Sequence, residues 1–401
     1  MKAVGVIVEY NPFHNGHAYH VQKAREISGA DLVIAVMSGN FLQRGEPAVV
    51  SKWYRTKMAL KGGVDLVFEL PYLFATQKAE TFANGAISLL DAAGCEFVCF
   101  GSESGDIKAF LKTADTIDNR QKQLDEQIQQ KMKAGISYPK ALSLAYETLD
   151  PTADYVNLST PNNILGYEYI RAIRKQKSNL KPLTVARKSA DYHDEHFASE
   201  TIASATSIRK AMFSKNSKID SFIPSNTNDL LKDYFHHYGQ FHQWENYWPL
   251  LQFRLLQARP EELRKIYEVE EGIENRLLRT ALHAGSFHEF MEKVKTKRYT
   301  WTRLQRISTH ILTNASKVDM QKSDEKASYL RLLGMSEKGK AYLNQHKNHF
   351  GLPVISKLSS YQQEDIQLDI RAARIYLSIL SAKSKQSLFQ EEFTQPPIYA
   401  K

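Results

Sequence analysis

Residues 2–20 read KAVGVIVEYNPFHNGHAYH, and the reading of this stretch decides the fold. The run from Val4 to Val8 is apolar and rich in β-branched residues, the composition of a buried strand. Asn11-Pro12 breaks it. Beyond His14-Asn15-Gly16-His17, the spacing of Ala18, Val21, Ala24 and Ile27 puts one apolar face on a helix. A strand that turns at once into a helix leaves backbone N–H groups open in the turn, where anions bind. Two imidazoles stand at that turn, and the rest of the sequence bears on which anion they serve.

The alternation continues along the chain. Asp31–Met37, Val64–Leu70 and Cys95–Phe100 read as further buried strands, with a helix carrying Trp53, Met58 and Leu60 and another from about 78 to 93 between them. Strands and helices alternating at this spacing specify an α/β fold, a Rossmann-like, doubly wound parallel sheet. Such sheets bind ligands outside the carboxyl ends of their strands. The HNGH turn and the loop Gly101-Ser102-Glu103-Ser104-Gly105 are predicted to lie at that edge. Leu183–Ala186 reads as a short additional strand, and Ile202–Arg209 leads into another helix. From residue 219 onward the pattern is mostly α, with helical periodicity over 250–257, 263–282 and 303–312, so the expected division is 1–218 and 219–401.

The 401 residues contain no apolar run long enough to span a bilayer, and Glu9 interrupts the N-terminal run as no secretory signal would. Cys95 and Cys99 are the only cysteines and read as buried, reduced thiols of a cytoplasmic protein. The formal charge of +9 sits wholly in the second half: residues 1–200 hold 23 basic and 23 acidic residues, residues 201–401 hold 30 and 21. Such asymmetry points to a polyanionic partner, with a well-solvated surface as the other reading. Lys293, Lys295, Lys297, Arg298, Arg303 and Arg306 alternate with Tyr299 and Trp301, the mixture of cations and stacking rings that RNA binding uses. Lys52, Arg55 and Lys57 flank the predicted active edge and form a second candidate contact, or a solvated face.

Alone, HNGH allows a metal held by His14, His17 and His20, satisfied structural histidines, or a phosphate. A zinc set wants a further Cys, Asp or Glu at defined spacing, and none is evident. The strand, the break and the helix opening suit a nucleoside triphosphate, with imidazoles hydrogen-bonded to phosphate oxygens and stabilising charge at the α-phosphorus. Gly16 permits close backbone approach. Far downstream, Ala203-Ser204-Ala205-Thr206-Ser207-Ile208-Arg209 offers the hydroxyls of Ser204, Thr206 and Ser207 at a helix start, and in Arg209 a fork for the β- and γ-phosphates.

The two motifs together resemble the nucleotidylyltransferase superfamily of class I synthetase-like enzymes, marked by an early HxGH and a later ISSTxxR. The second departs from the pattern at Ala203 and Ala205, which leaves open which hydroxyl meets phosphate. GVIVEYNPFHNGH, SGNFLQRGEPA, FELP, FGSES, STPNNILGYEY, ARKSADYHD and KRYTWTRLQR are similar to the bacterial tRNA(Met) cytidine acetate ligase family over nearly the whole chain. That resemblance implies an enzyme that makes acetyl-adenylate from ATP and acetate. The acetyl group then passes to N4 of the wobble cytidine of elongator tRNA(Met).

For ATP the resemblance implies contacts at Ile7, Val8, Glu9, Tyr10, Asn11, Pro12, Phe13, His14, Asn15, Gly16, His17, Ala18, Tyr19, His20, Gly101, Asn162 and Arg187. Lys188, Ser204, Thr206 and Arg209 are counted with them, and His14, His17 and Arg209 as catalytic. The expected tRNA surface comprises Lys52, Arg55, Lys297, Arg298, Trp301, Arg303 and Arg306, in a helical, basic tRNA-binding domain over 219–401 beside an ATP-binding catalytic domain over 1–218. Mg²⁺ is expected with ATP, although no dedicated carboxylate set is visible and no resident metal is assigned. Two other readings stand beside this one: transfer of AMP or CMP to a small phosphorylated metabolite, and a non-catalytic RNA-binding protein. The basic second half argues against the first; the two histidines and Arg209 argue against the second.

Overall fold

Five strands, β1 (Ala3–Val8), β2 (Leu32–Ser38), β3 (Leu66–Leu70), β4 (Phe97–Ser102) and β5 (Lys181–Ala186), pair in parallel in the order β5-β4-β1-β2-β3. This computed structural model describes residues 1–136, 138–147, 155–187, 202–214, 219–270, 272–321, 325–361 and 363–400. The chain order reverses between β1 and β4, the switch point where a parallel sheet opens a crevice for a ligand. Both faces of the sheet are covered, which is why its strands read as continuous apolar runs. Along β2, Leu32, Ile34 and Val36 enter one core while Val33, Ala35 and Met37 enter the other.

The first core is built with the helices Ala79–Ala92 and Pro161–Gln176, the second with Asn15–Ser28 and Lys52–Lys61. At Gly5 a Cβ would lie 2.5 Å from a methyl of Leu90, so the glycine sets how closely the helix Ala79–Ala92 approaches β1.

The sheet does not end with the first half of the chain. β6 (Leu330–Ser336) runs antiparallel beside β3, and β7 (Val354–Ile355) and β8 (Ile398–Ala400) both pair with its other edge. The sequence LRLLGMS has no β-branched residue and no alternation, so its strand state comes from the edge it completes rather than from propensity. The periodic run predicted over 263–282 is also broken. It forms the short helix Pro260–Leu263 and then Ile273–Ala281, with Glu268 and Gly272 at φ 61° and 81° and Ile266 bridging to Ser316 between them. Among the described residues, no helix is long and apolar enough to cross a membrane.

Candidate active site

The predicted turn lies at the carboxyl end of β1, beside the switch point. Tyr10 adopts φ 50°, a left-handed conformation that is costly for a bulky residue, and the Asn11–Pro12 peptide is cis. Val49 N–H donates to Asn11 Oδ1 at 2.7 Å, which fixes the turn against the loop after β2. Val8, Tyr10, Pro12 and Phe13 are buried and form the floor; Ile7 is half-buried in the strand, and Ala18 and Tyr19 are half-buried on the helix that follows.

His14 is the N-cap of the helix Asn15–Ser28. Its Nδ1 accepts Gly16 N–H at 3.1 Å, and His17 Nδ1 accepts the N–H of His14 at 3.2 Å, so each ring serves the other's end of a capping box. The rings stack at 3.6 Å between centroids. Because both Nδ1 atoms accept, each neutral ring carries its proton on Nε2 and acts there as a donor. Burial, then Arg187 and Arg209, pull the proton affinity of His14 down to about 3. Burial, His14, Arg187 and His20 hold His17 well below the ordinary imidazole range, opposed by the Pro12 carbonyl. His20 falls to about 4 through burial and Arg187. These are neutral donors beside two guanidiniums, a site for an anion and not for a proton.

At Gly16 the fold itself also calls for the missing side chain. A Cβ there would lie 2.9 Å from His14 Cε1, so the missing side chain makes room for the folded-back imidazole. Asn15 is taken up in positioning: its N–H and its Nδ2 donate to the carbonyls of Phe222 and Ser221 at 3.0 and 2.9 Å.

The second motif meets the first across 198 residues. Arg209 Nη1 donates to the Asn11 carbonyl at 3.2 Å, and its Nη2 reaches Glu46 Oε2 at 2.8 Å and Thr206 Oγ1 at 3.4 Å. Ser204 caps the helix Ala205–Phe213, accepting Ser207 N–H at 3.0 Å, and its hydroxyl is shared with that of Ser207. Thr206, half-buried beside Arg209, is the hydroxyl of this segment that stands with the guanidinium.

Gly101, Asn162 and Arg187 converge at the ends of β4 and β5. Arg187 N–H continues the ladder to the Ser102 carbonyl at 3.0 Å, its Cγ would be 3.6 Å from a Cβ at Gly101, and its Nη1 lies 3.5 Å from Asn162 Oδ1. Sequence reasoning passed over what holds them. Glu103 accepts Asn162 Nδ2 at 2.6 Å and the N–H of Asn163 at 2.9 Å, which caps the helix Pro161–Gln176. Asn163 Oδ1 in turn accepts the N–H groups of Glu103 and Ser104. The signal was present, since GSESG and STPNN each have the composition of a helix or loop start with unmet partners. Lys188 lies outside the described residues.

Three of the predicted tRNA contacts are corrected by burial. Lys52 is 1% exposed, with Nζ at 2.8 Å from Glu69 and 2.6 Å from Glu392. Arg55 is fully buried and donates to the carbonyls of Glu9 (2.7 Å), Ser38 (3.0 Å), Gly39 and Val50, tying the carboxyl ends of β1 and β2 together. Neither reaches a polyanion. In the C-terminal patch Arg306 is also buried, against Glu268 at 2.7 Å. Arg303 pairs with Glu270 at 3.1 Å and lies over the Tyr299 ring, and Trp301 is half-buried with its Nε1 on Gln305. Lys297 and Arg298 are exposed.

Fold and site together define a nucleotidyl transferase: the chain belongs to the HIGH Nucleotidyl Transferase family, whose pattern matches residues 1–392. It is 51% identical over 403 residues to the tRNA(Met) cytidine acetate ligase of Lysinibacillus sphaericus (strain C3-41), covering 99% of this chain and 100% of that one. To the Bacillus subtilis (strain 168) protein of the same name it is 50% identical over 403 residues, covering 99% and 97%. The crystal structure of Thermotoga maritima TmcAL bound with alpha-thio ATP superposes with a TM-score of 0.91 at 34% identity, covering 100% of this chain and 99% of that one.

Proposed function

We propose that this chain is an ATP-dependent ligase that joins acetate to N4 of the wobble cytidine of elongator tRNA(Met), by way of acetyl-adenylate. The observation that carries the reading is the meeting of the HNGH turn and Arg209 at the carboxyl edge of β1, in a chain similar over its whole length to proteins named for that reaction. In the first step an acetate oxygen attacks the α-phosphorus and pyrophosphate leaves. The Nε2–H groups of His14 and His17 hold α- and β-phosphate oxygens, and Arg209 with Thr206 takes the departing pyrophosphate. Arg187 and Asn162 bind the nucleotide from the other side of the crevice. The protein contributes position and charge, which suffice for a phosphoryl centre. Mg²⁺ arrives with ATP; among the described residues no group of three or more His, Cys, Asp or Glu is gathered to hold a metal. The reaction belongs in the cytoplasm, where tRNA, ATP and acetate meet.

Acetate-dependent exchange of pyrophosphate into ATP, followed by transfer of labelled acetate to tRNA, tests this. Exchange that ignores acetate would return the chain to transfer of a nucleotide onto a metabolite. In the second half, residues 219–401 serve tRNA, and Lys297 and Arg298 are the exposed pair of cations beside Tyr299 in the patch. Replacing both with alanine should weaken tRNA binding and lower the slope of log K against log salt by about 2, close to one for each phosphate that a cation neutralises. An unchanged slope, read from filter binding across a salt series, would make the patch a solvated face.

A further inference from the structure

Acetyl transfer requires a proton acceptor, and the inference here rests on the acetate ligase reading. As N4 of cytidine attacks the carbonyl carbon of acetyl-adenylate, the N–C bond forms and the C–O bond to AMP breaks. The phosphate oxygen of AMP keeps that electron pair, and one N4 proton must go elsewhere. Among the described residues, the histidines and carboxylates gathered around the HNGH turn are His14, His17, His20, Glu9, Glu46 and Glu103. His14 and His17 already use Nδ1 to accept backbone N–H groups, and burial beside Arg187 disfavours a proton on any of the three. Glu46 is committed to Arg209 at 2.8 Å, and Glu103 uses both oxygens at the start of the helix Pro161–Gln176.

Glu9 remains. It follows β1 directly, and Arg55 grips its main-chain carbonyl at 2.7 Å. Its Oε1 accepts Gln43 N–H at 2.9 Å, while Oε2 accepts no hydrogen bond from the described residues, in a side chain that is half-buried and not sealed. Arg44 and Glu46 face it from the loop after β2, Arg209 from the helix Ala205–Phe213 and Tyr169 from the helix Pro161–Gln176. We propose that Glu9 is the general base of acetyl transfer, its Oε2 receiving the N4 proton as the amide forms and passing it to water after AMP leaves. Burial raises its proton affinity above that of an ordinary carboxylate, against the Gln43 N–H and the two guanidiniums; Glu46 adds to the rise. A carboxylate whose proton affinity is raised is, once ionised, the stronger base.

The experiment is single-turnover transfer from synthetic acetyl-adenylate to tRNA(Met), run beside acetate-dependent pyrophosphate exchange. Glu9→Gln should slow transfer by about 10²–10⁴-fold, the range for a positioned base, and by at least tenfold more than it slows exchange. The parent's transfer rate should fall as pH drops through the Glu9 ionisation, on a limb lying above the ordinary carboxylate range; Glu9→Asp should keep that limb at a reduced rate, and Glu9→Gln should lose it. Proportional losses in both half-reactions would make Glu9 a nucleotide contact and overturn the proposal, as would a limb that survives in the glutamine variant. Should Glu9→Gln fail to fold by circular dichroism, a parent transfer profile with no limb above the ordinary carboxylate range overturns it equally. A parent lacking acetate-dependent exchange overturns the ligase reading beneath it, which is a different result.

Discussion

Replacing His14 with alanine should lower acetate-dependent pyrophosphate exchange by about 10²–10³-fold, the cost of one preorganised donor at a developing oxyanion. The same change removes an N-cap, which costs only about 1 kcal/mol of stability. Thermal unfolding should therefore shift little while exchange collapses, and measuring both on one preparation separates the donor from the cap. The pH profile supplies a second check with a definite sign. His14 takes up a proton only near pH 3, so it is neutral throughout the working range, and kcat/KM, which reports the free enzyme, should show no imidazole limb near 6.5. If an imidazolium were the phosphate ligand, kcat/KM would climb as pH fell through that value. A climb of that kind would exclude the neutral-donor arrangement derived from the two Nδ1 acceptors.

The part of this site that was legible in the sequence is the part made by local chemistry. A β-branched run, Asn-Pro, HNGH and an amphipathic repeat are each read within a few residues, and they placed β1, the turn and the helix correctly. Arg209 was legible because the segment Ala203–Arg209 carries its own helix-start signal. What was not legible was set by a particular backbone conformation or by distant partners. The ring of His14 also lies against Gly16, a contact that depends on the N-cap conformation and that the motif alone does not announce. Glu46 lies in the loop after β2, and nothing local says that Arg209, 163 residues on, will lie against it. β6 escaped because a strand completing an existing edge needs little propensity of its own.

Lys52 carries the largest expected effect on stability, and it reverses the sequence reading. The helix Lys52–Lys61 alternates charged and apolar residues as a solvated helix would, yet Lys52, Trp53, Tyr54, Arg55 and Thr56 are all buried. Lys52 and Arg331 share the carboxylates of Glu69 and Glu392, all four side chains sealed, and the Arg331 Nη1 atom lies 2.9 Å from each acid. The acids sit 17 and 340 residues away in sequence, and no local pattern announces that the C-terminal helix Ala382–Thr394 brings Glu392 against Lys52. Lys52→Met keeps the length and removes the charge, leaving two buried carboxylates to one guanidinium. Breaking such a network from one side costs about 3–5 kcal/mol, whereas Lys297→Ala on the exposed patch should stay within about 0.5 kcal/mol. Denaturant unfolding of the two variants against the parent measures this directly. A surface lysine that serves tRNA predicts the opposite pair of results, unchanged stability for Lys52→Met and a shallower salt dependence of tRNA binding, and that outcome would remove Lys52 from the interior network.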